Sequence, residues 1–313
     1  MSMKWSDTPV PCAELRKAPR SVSDPRRLTF LGVDGYDVYN ISVPFESEGK
    51  TWLAGRVEKR ENEMSMVRLF EKTGPDEYTA VLPEMTFRML QDPFVTVIGE
   101  EIVMGGVQIV THPLDPGRII SWQTLFFRGR TPRDLQLAAV GPSCMKDIRL
   151  CALGDGRVAV FTRPQGRKGG LGKIGFTVLN SLDELCADAI LDARIDDSFF
   201  IPEEWGGVNE AILLDSGLLG VMGHIAFRTA EGVHYQAMSF VMDPETGKHT
   251  APRLEACRAD VTDRPVGKRP DLRDVLFTGG IVRRGDGTAD LYTGVSDCEA
   301  WRAVIPDPFY SVR

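Results

Sequence analysis

Residues 38–82 read VYNISVPFESEGKTWLAGRVEKRENEMSMVRLFEKTGPDEYTAVL. Short runs rich in β-branched and aromatic residues are separated by Gly, Pro, Asn or Asp, the punctuation of strands and tight turns. Four strands fit this stretch: Val38–Val43, Thr51–Val57, Met64–Phe70 and Glu77–Leu82. Outward from it the pattern recurs. A second quartet is Phe94–Ile98, Glu101–Val110, Ile119–Phe127 and Leu135–Val140, and a third is Ile148–Leu153, Val158–Thr162, Ile174–Leu179 and Ala187–Leu191. A fourth is Val208–Leu214, Leu218–Phe227, Val233–Met242 and His249–Leu254. The last, Val275–Arg283, Thr288–Gly294 and Ala300–Ile305, is one strand short, and Arg27–Val33 is placed to supply it.

The quartets begin near residues 38, 93, 147, 208 and 274, about 54 to 66 residues apart. Four strands per unit at that period predict an all-β fold, a five-bladed β-propeller in which each blade buries its faces against its neighbours. Closure by an N-terminal strand removes two exposed sheet edges. On this reading residues 1–26 are an N-terminal extension and 27–313 a single propeller domain. An irregular pair of β-sandwiches is the competing arrangement. Helical patterning is confined to Cys12–Lys17 and Ser181–Cys186.

Composition narrows the partners. The chain has 313 residues, 42% of them hydrophobic, which is enough for a substantial core and excludes wholesale disorder. With 37 basic and 44 acidic residues it carries a net charge of −7, which argues against nucleic acid and anionic membranes as partners. No apolar run approaches the roughly 18 residues a bilayer span needs. Met1–Arg20 carries Pro and charges where a signal peptide needs an apolar run. Cys12, Cys144, Cys151, Cys186, Cys257 and Cys298 form no C-x-x-C pair, so reduced thiols in a cytoplasmic protein are expected, and no zinc site.

In a propeller the innermost strands line a central channel, where polar side chains from each blade converge. The candidates are Asp37, Tyr39, Asn40, Arg56 and Glu58 from the first quartet, and Gln91 and Asp92 from the second. Lys146, Asp147, Arg149 and Arg163 come from the third, Trp205, Asn209, Glu210 and His224 from the fourth, and Tyr292 and Asp297 from the fifth. Asn40, Asp92, Asp147 and Asn209 recur at similar positions, one to a blade. Such a set suits a polyhydroxylated ligand, although each residue could instead close an Asx-turn. Asp92 precedes Pro93, which should hold it extended on a rigid element. A carboxyl in a partly desolvated pocket can serve as general acid on a glycosidic oxygen. If phosphate is the nucleophile no base is needed, and Lys146, Arg149, Arg163 and His224 would form an anion clamp. Gly166–Lys173 lacks the spacing of a phosphate loop and reads as a mobile hairpin able to cover the pocket mouth. The histidines have no metal-ligand spacing, so neither metal nor cofactor is expected.

The ordered set Asn40, Gln91-Asp92-Pro93, Lys146-Asp147, Phe161-Thr162-Arg163-Pro164, Gly217-Leu218-Leu219 with His224, and Leu291-Tyr292-Thr293-Gly294-Val295-Ser296-Asp297 spans the chain from about residue 30 to 305. It resembles the mannoside phosphorylases of glycoside hydrolase family 130 and, in its compact length, the protozoan mannosyltransferase/phosphorylases of glycosyltransferase family 108. The resemblance implies a five-bladed propeller acting with inversion on β-1,2-mannoside oligosaccharides, with inorganic phosphate or mannose 1-phosphate and in some members GDP-mannose. It implies Asp92 as the general acid, working through a sugar hydroxyl. Asn40 and Asp147, with Asp37, Gln91, Asn209 and Asp297, are the expected sugar contacts. Lys146, Arg163 and His224, with Arg56, Arg149 and Tyr292, are the expected phosphate contacts. The chain departs from the family pattern at Gln91, usually acidic, at Phe94, usually Arg, and in the order Gly223-His224. Since Phe94 offers no guanidinium, Arg56 or Arg149 should provide one in its place. A hydrolase would need a second carboxylate, from Asp147, Glu210 or Asp297. A non-catalytic glycan-binding propeller would present an aromatic face such as Trp52, Trp122 and Trp205.

Overall fold

The structure, a computed structural model, describes residues 3–263 and 267–312. Almost all regular structure is β. Hydrogen bonding divides the described strands into sheets of seven, four, four and ten. The second quartet forms one four-stranded antiparallel sheet, Leu90–Ile98, Glu101–His112, Asp115–Gly129 and Gln136–Val140. The third forms another, Arg149–Ala152, Val158–Thr162, Ile174–Leu179 and Arg194–Asp196. The fourth and fifth groups merge into the ten-stranded sheet through a short parallel pairing of His234 with Asp274 and Tyr235 with Val275.

Packing runs from group to group and returns to its start. Trp52, Leu69, Val95 and Met104 join the first group to the second, and Phe94, Val103, Ile148 and Val160 join the second to the third. Phe161, Val208, Val221 and Phe240 join the third to the fourth, and Met222, Val241, Leu276 and Leu291 the fourth to the fifth. Tyr292 and Ala300 then meet Val38, Leu53 and Phe70 of the first group, so the circuit is closed. Burying each such side chain contributes roughly 1.5–3 kcal/mol, and this seam is where the alternating pattern of the strands is used.

Several boundaries differ from the sequence reading. The strand missing from the last group is Ser23–Arg27, paired with Glu299–Pro306, and not Arg27–Val33. Thr29–Leu31 instead pairs in parallel with Glu77–Thr79 of the first group. Upstream, Trp5–Ser6 pairs with His249–Thr250, and Cys12 is buried with its N–H donated to Glu204 Oε1 at 2.7 Å. Ala187–Leu191 is a helix, and the fourth strand of its group is Arg194–Asp196. The run Ala-Asp-Ala-Ile-Leu, rich in good helix formers, buries only Ile190.

Candidate active site

Four of the polar residues at the inner strand ends share an unusual backbone. Asn40, Asp92, Asp147 and Asp297 have φ of 44°, 48°, 56° and 52°, the left-handed region that Asn and Asp tolerate best among residues with a side chain. At Asp92 the strand is bulged between Gln91 and Phe94. The extended conformation expected before Pro93 therefore does not occur; the bulge turns the carboxylate out of the pleat. Asn40 and Asp92 bond to each other instead of closing Asx-turns of their own. Asn40 Nδ2 donates to Asp92 Oδ1 at 2.8 Å, and Arg56 Nη1 donates to the same oxygen at 3.1 Å. Both bonds land on Oδ1, which leaves Oδ2 for a ligand.

Arg56 is held from behind. Its Nε and Nη2 donate to Glu58 Oε2 at 3.2 and 2.7 Å, Nη2 also to Glu63 Oε2 at 3.0 Å, and its plane lies 4.8 Å from the Tyr39 ring centre. Tyr39 donates its hydroxyl to Glu58 at 2.7 Å. Lys268 bridges Glu58 and Glu63 from the far side. Burial raises the Glu58 carboxyl, but Arg56, Lys268 and Tyr39 together hold it below its ordinary range. Asp297 stands in the same field. Burial pushes it up, Arg56 opposes, and the nearby Asp92 charge adds to the rise, leaving it at about 6.

The second cluster is built on Asp147. Arg163 Nη1 lies 3.1 Å from Asp147 Oδ2, and Arg163 Nε donates to Gly206 O at 2.9 Å. Arg149 donates to the carbonyls of Asn209 and Ile148 at 3.0 and 3.1 Å and stands 4.8 Å over the Phe94 ring. Phe94 thus carries the Arg149 guanidinium on its face. Burial raises Asp147, but Arg163, with Lys146, His224 and Arg149, more than offsets this and holds it at about 2. His224 is fully buried, and burial lowers it to about 3, so it is a neutral imidazole and not one of the clamp's cations. Neutral, it donates Nδ1–H to Asn209 Oδ1 at 2.8 Å and keeps Nε2 as an acceptor without a partner. Gly207 makes this convergence possible: a Cβ there would lie 3.0 to 3.3 Å from atoms of Arg163, His224 and Asp147. Asn209 Nδ2 and Gln91 Nε2 are also buried without hydrogen-bond partners among the described residues, and such groups mark places where a ligand or water completes the network.

Other expectations fall elsewhere. Asp37 forms a two-pronged ion pair with Arg60 at 2.7 and 2.9 Å. Tyr292 is buried in the seam between the fifth and first groups, its hydroxyl beside that of Tyr78. Lys146 is half-buried beside Asp147 and is the accessible cation of the cluster. Gly166–Gly169 forms a turn of helix, not a hairpin arm, and Gly172 packs against the Arg163 guanidinium. Trp52 is wholly buried and Trp205 donates to Tyr235, so these residues form no shared aromatic face. Sequence reasoning missed Glu63 and Lys268. Each lies in a charge-dense loop, residues 58–63 or Gly267-Lys268-Arg269-Pro270, which resembles any solvated loop until folding lays Lys268 against Glu58 and Glu63.

A family model described as "Protein of unknown function (DUF1861)" matches residues 14–311. A mannose phosphorylase from Leishmania mexicana, MPT-4, solved with a phosphate ion, is 42% identical, covers 95% of this chain and 92% of its own, and superposes with a TM-score of 0.87. A GDP-Man-dependent mannosyltransferase from the same organism, MPT-1, is 36% identical over 96% of this chain and 94% of its own, with a TM-score of 0.86. The chain belongs to this family. Like its Leishmania relatives, this family member is an enzyme. A β-1,2-mannobiose phosphorylase from Listeria innocua, 15% identical over 87% of this chain and 91% of its own, shares the fold at a TM-score of 0.59. No curated protein matches the chain.

Proposed function

We propose that this chain is an inverting β-1,2-mannoside phosphorylase and mannosyltransferase on a five-bladed β-propeller, closed by Ser23–Arg27. The observation that carries the reading is the juxtaposition of Asp92, oriented by Asn40 and Arg56, with the cationic cluster of Lys146, Arg149 and Arg163. Arg149 links the two halves, since its charge is felt by both Asp92 and Asp147.

A mannosyl residue seated between them has its glycosidic oxygen toward Asp92 and its opposite face toward the cations. In phosphorolysis, phosphate attacks the anomeric carbon from that face, the C–O bond to the departing sugar breaks, and Asp92 supplies the proton, directly or through a sugar hydroxyl. In synthesis the same carboxylate takes the proton from the acceptor as the anomeric C–O bond of the donor breaks, releasing phosphate from mannose 1-phosphate or GDP from GDP-mannose. Lys146 provides the reachable cation, and neutral His224 an acceptor for a phosphate or sugar hydroxyl. A cleft of about 530 Å³, bounded by Arg60, Glu63, Met64, Ile109, Ile119 and Lys268, opens beside Arg56 and is the place for the acceptor chain. Reduced cysteines, with all six free, fit a cytoplasmic enzyme.

The test is to incubate the protein with mannose 1-phosphate and mannose, and separately with GDP-mannose and mannose, and to look for β-1,2-linked products together with free phosphate in the first case and GDP in the second. Asp92→Asn should lower turnover in both directions by about a hundredfold or more. Full activity in the folded variant would reject the assignment. The raised Asp297 carboxyl beside Asp92 favours hydrolysis as a second reading. Mannose release from mannobiose without phosphate, lost in Asp297→Asn, would establish it.

A further inference from the structure

The short helix Arg258–Val261 begins with an arginine that is only 7% exposed. Its Nε and Nη2 are buried with no hydrogen-bond partner among the described residues. Every other described arginine buried to this degree is engaged: Arg56 by Glu58 and Asp92, Arg149 by two carbonyls, Arg163 by Asp147 and Gly206. An unpaired buried charge is costly, so a chain that keeps one is expected to meet an anion there.

Arg258 lines a cavity of about 440 Å³ with Glu231, His234, Asp271, Arg273 and Asp274. Two of these acids are already neutralised. Asp274 accepts from His234 Nδ1 at 2.6 Å and lies 3.9 Å from Arg16, while Asp271 pairs with Arg269 at 3.2 Å and feels Arg228. Among the described residues that leaves Glu231 against Arg258 and Arg273, a local cationic surplus on a chain of net charge −7. None of these residues belongs to the Asp92 or Asp147 clusters.

We infer that this cavity is a second, separate oxyanion site, whose ligand presents a phosphate or carboxylate group to the Arg258 guanidinium. The planar fork matches two oxygens of either group, and the volume admits a molecule of sugar-phosphate or dicarboxylate size. The site stands independently of the proposed function, which already uses phosphate elsewhere.

The experiment titrates inorganic phosphate, and separately glutarate, into the wild-type protein and Arg258→Met by calorimetry. The wild type should show one more class of binding site than the variant. Competition by glutarate assigns that class to carboxylates, and its absence assigns it to phosphate. In anion-free buffer Arg258→Met should melt no lower than wild type, because a buried unpaired charge has been removed. Identical titrations of the two proteins overturn the proposal. Should Arg258→Met fail to fold, Arg273→Gln and crystals soaked in selenate take its place. An anomalous peak beside Arg258 supports the site, and one only beside Lys146 and Arg163 sinks it.

Discussion

At the residue scale the site depends on buried charges that compensate one another. Asp147 and Arg163 are each under 4% exposed and 3.1 Å apart. Removing one partner leaves the other buried and uncompensated, so Arg163→Met should lower stability by about 3–5 kcal/mol, read from the urea midpoint. The pH profile should change with it. Asp147 has its folded pKa depressed to about 2, so its stabilisation is present above the ordinary carboxylate range and fades as pH falls toward 2. Removing Arg163 lets the Asp147 carboxyl rise toward its ordinary range, so in Arg163→Met the loss of stability on acidification should be smaller than in the wild type. Glu210 behaves in the opposite sense. Burial raises it to about 8 although it accepts the Ile281 N–H at 2.7 Å. Its contribution is complete below the ordinary glutamate range and is lost as pH rises toward 8. Glu210→Gln should therefore flatten wild-type stability loss between about pH 5 and 8, measured by thermal unfolding across that range.

At the scale of the element, function rests on strands that can approach without side chains. A Cβ on Gly206 would lie 2.2 Å from the His224 carbonyl oxygen and 2.4 Å from the Phe200 ring, and one on Gly223 2.4 Å from the Gly207 carbonyl. These glycines let Glu204–Leu213 and Leu219–Thr229 bring Asn209 and His224 together. Gly206→Ala should cost about 1–3 kcal/mol and reduce turnover by displacing His224. Gly154→Ala, whose Cβ would meet only Leu213 Cδ2 at 3.6 Å, is the control and should leave both unchanged. Activity retained in Gly206→Ala with an unshifted melting point would show that this close approach is dispensable.

For the molecule as a whole, closure makes the two ends of the chain interdependent. Ser23–Arg27 covers the edge of Glu299–Pro306, and Tyr292 and Ala300 pack on the first group. Deleting residues 1–27 removes this strand and the buried Cys12, and bares an edge able to pair with another chain. The truncated protein should lose its cooperative melting transition at the wild-type temperature and form aggregates on size exclusion. A monomer melting as the full chain does would show that the ring closes without this strand.

The β character, the recurring strand groups and the ordered polar set were legible in the sequence, because strand alternation and turn residues are local properties. Asn40, Asp92, Asp147 and Asn209 could be picked out by position alone, and the structure brings them into two adjoining clusters. What each side chain does was decided only by folding. Asp37 and Tyr292 resemble their neighbours in sequence, yet Arg60 holds one and Tyr78 the other. Lys268 reaches Glu58 across 210 positions, a distance no local pattern encodes. The raised carboxyl of Asp297, the neutrality of His224 and the orphan Arg258 have the same origin. Burial and the charges that surround a group exist only once distant segments share a low-dielectric interior.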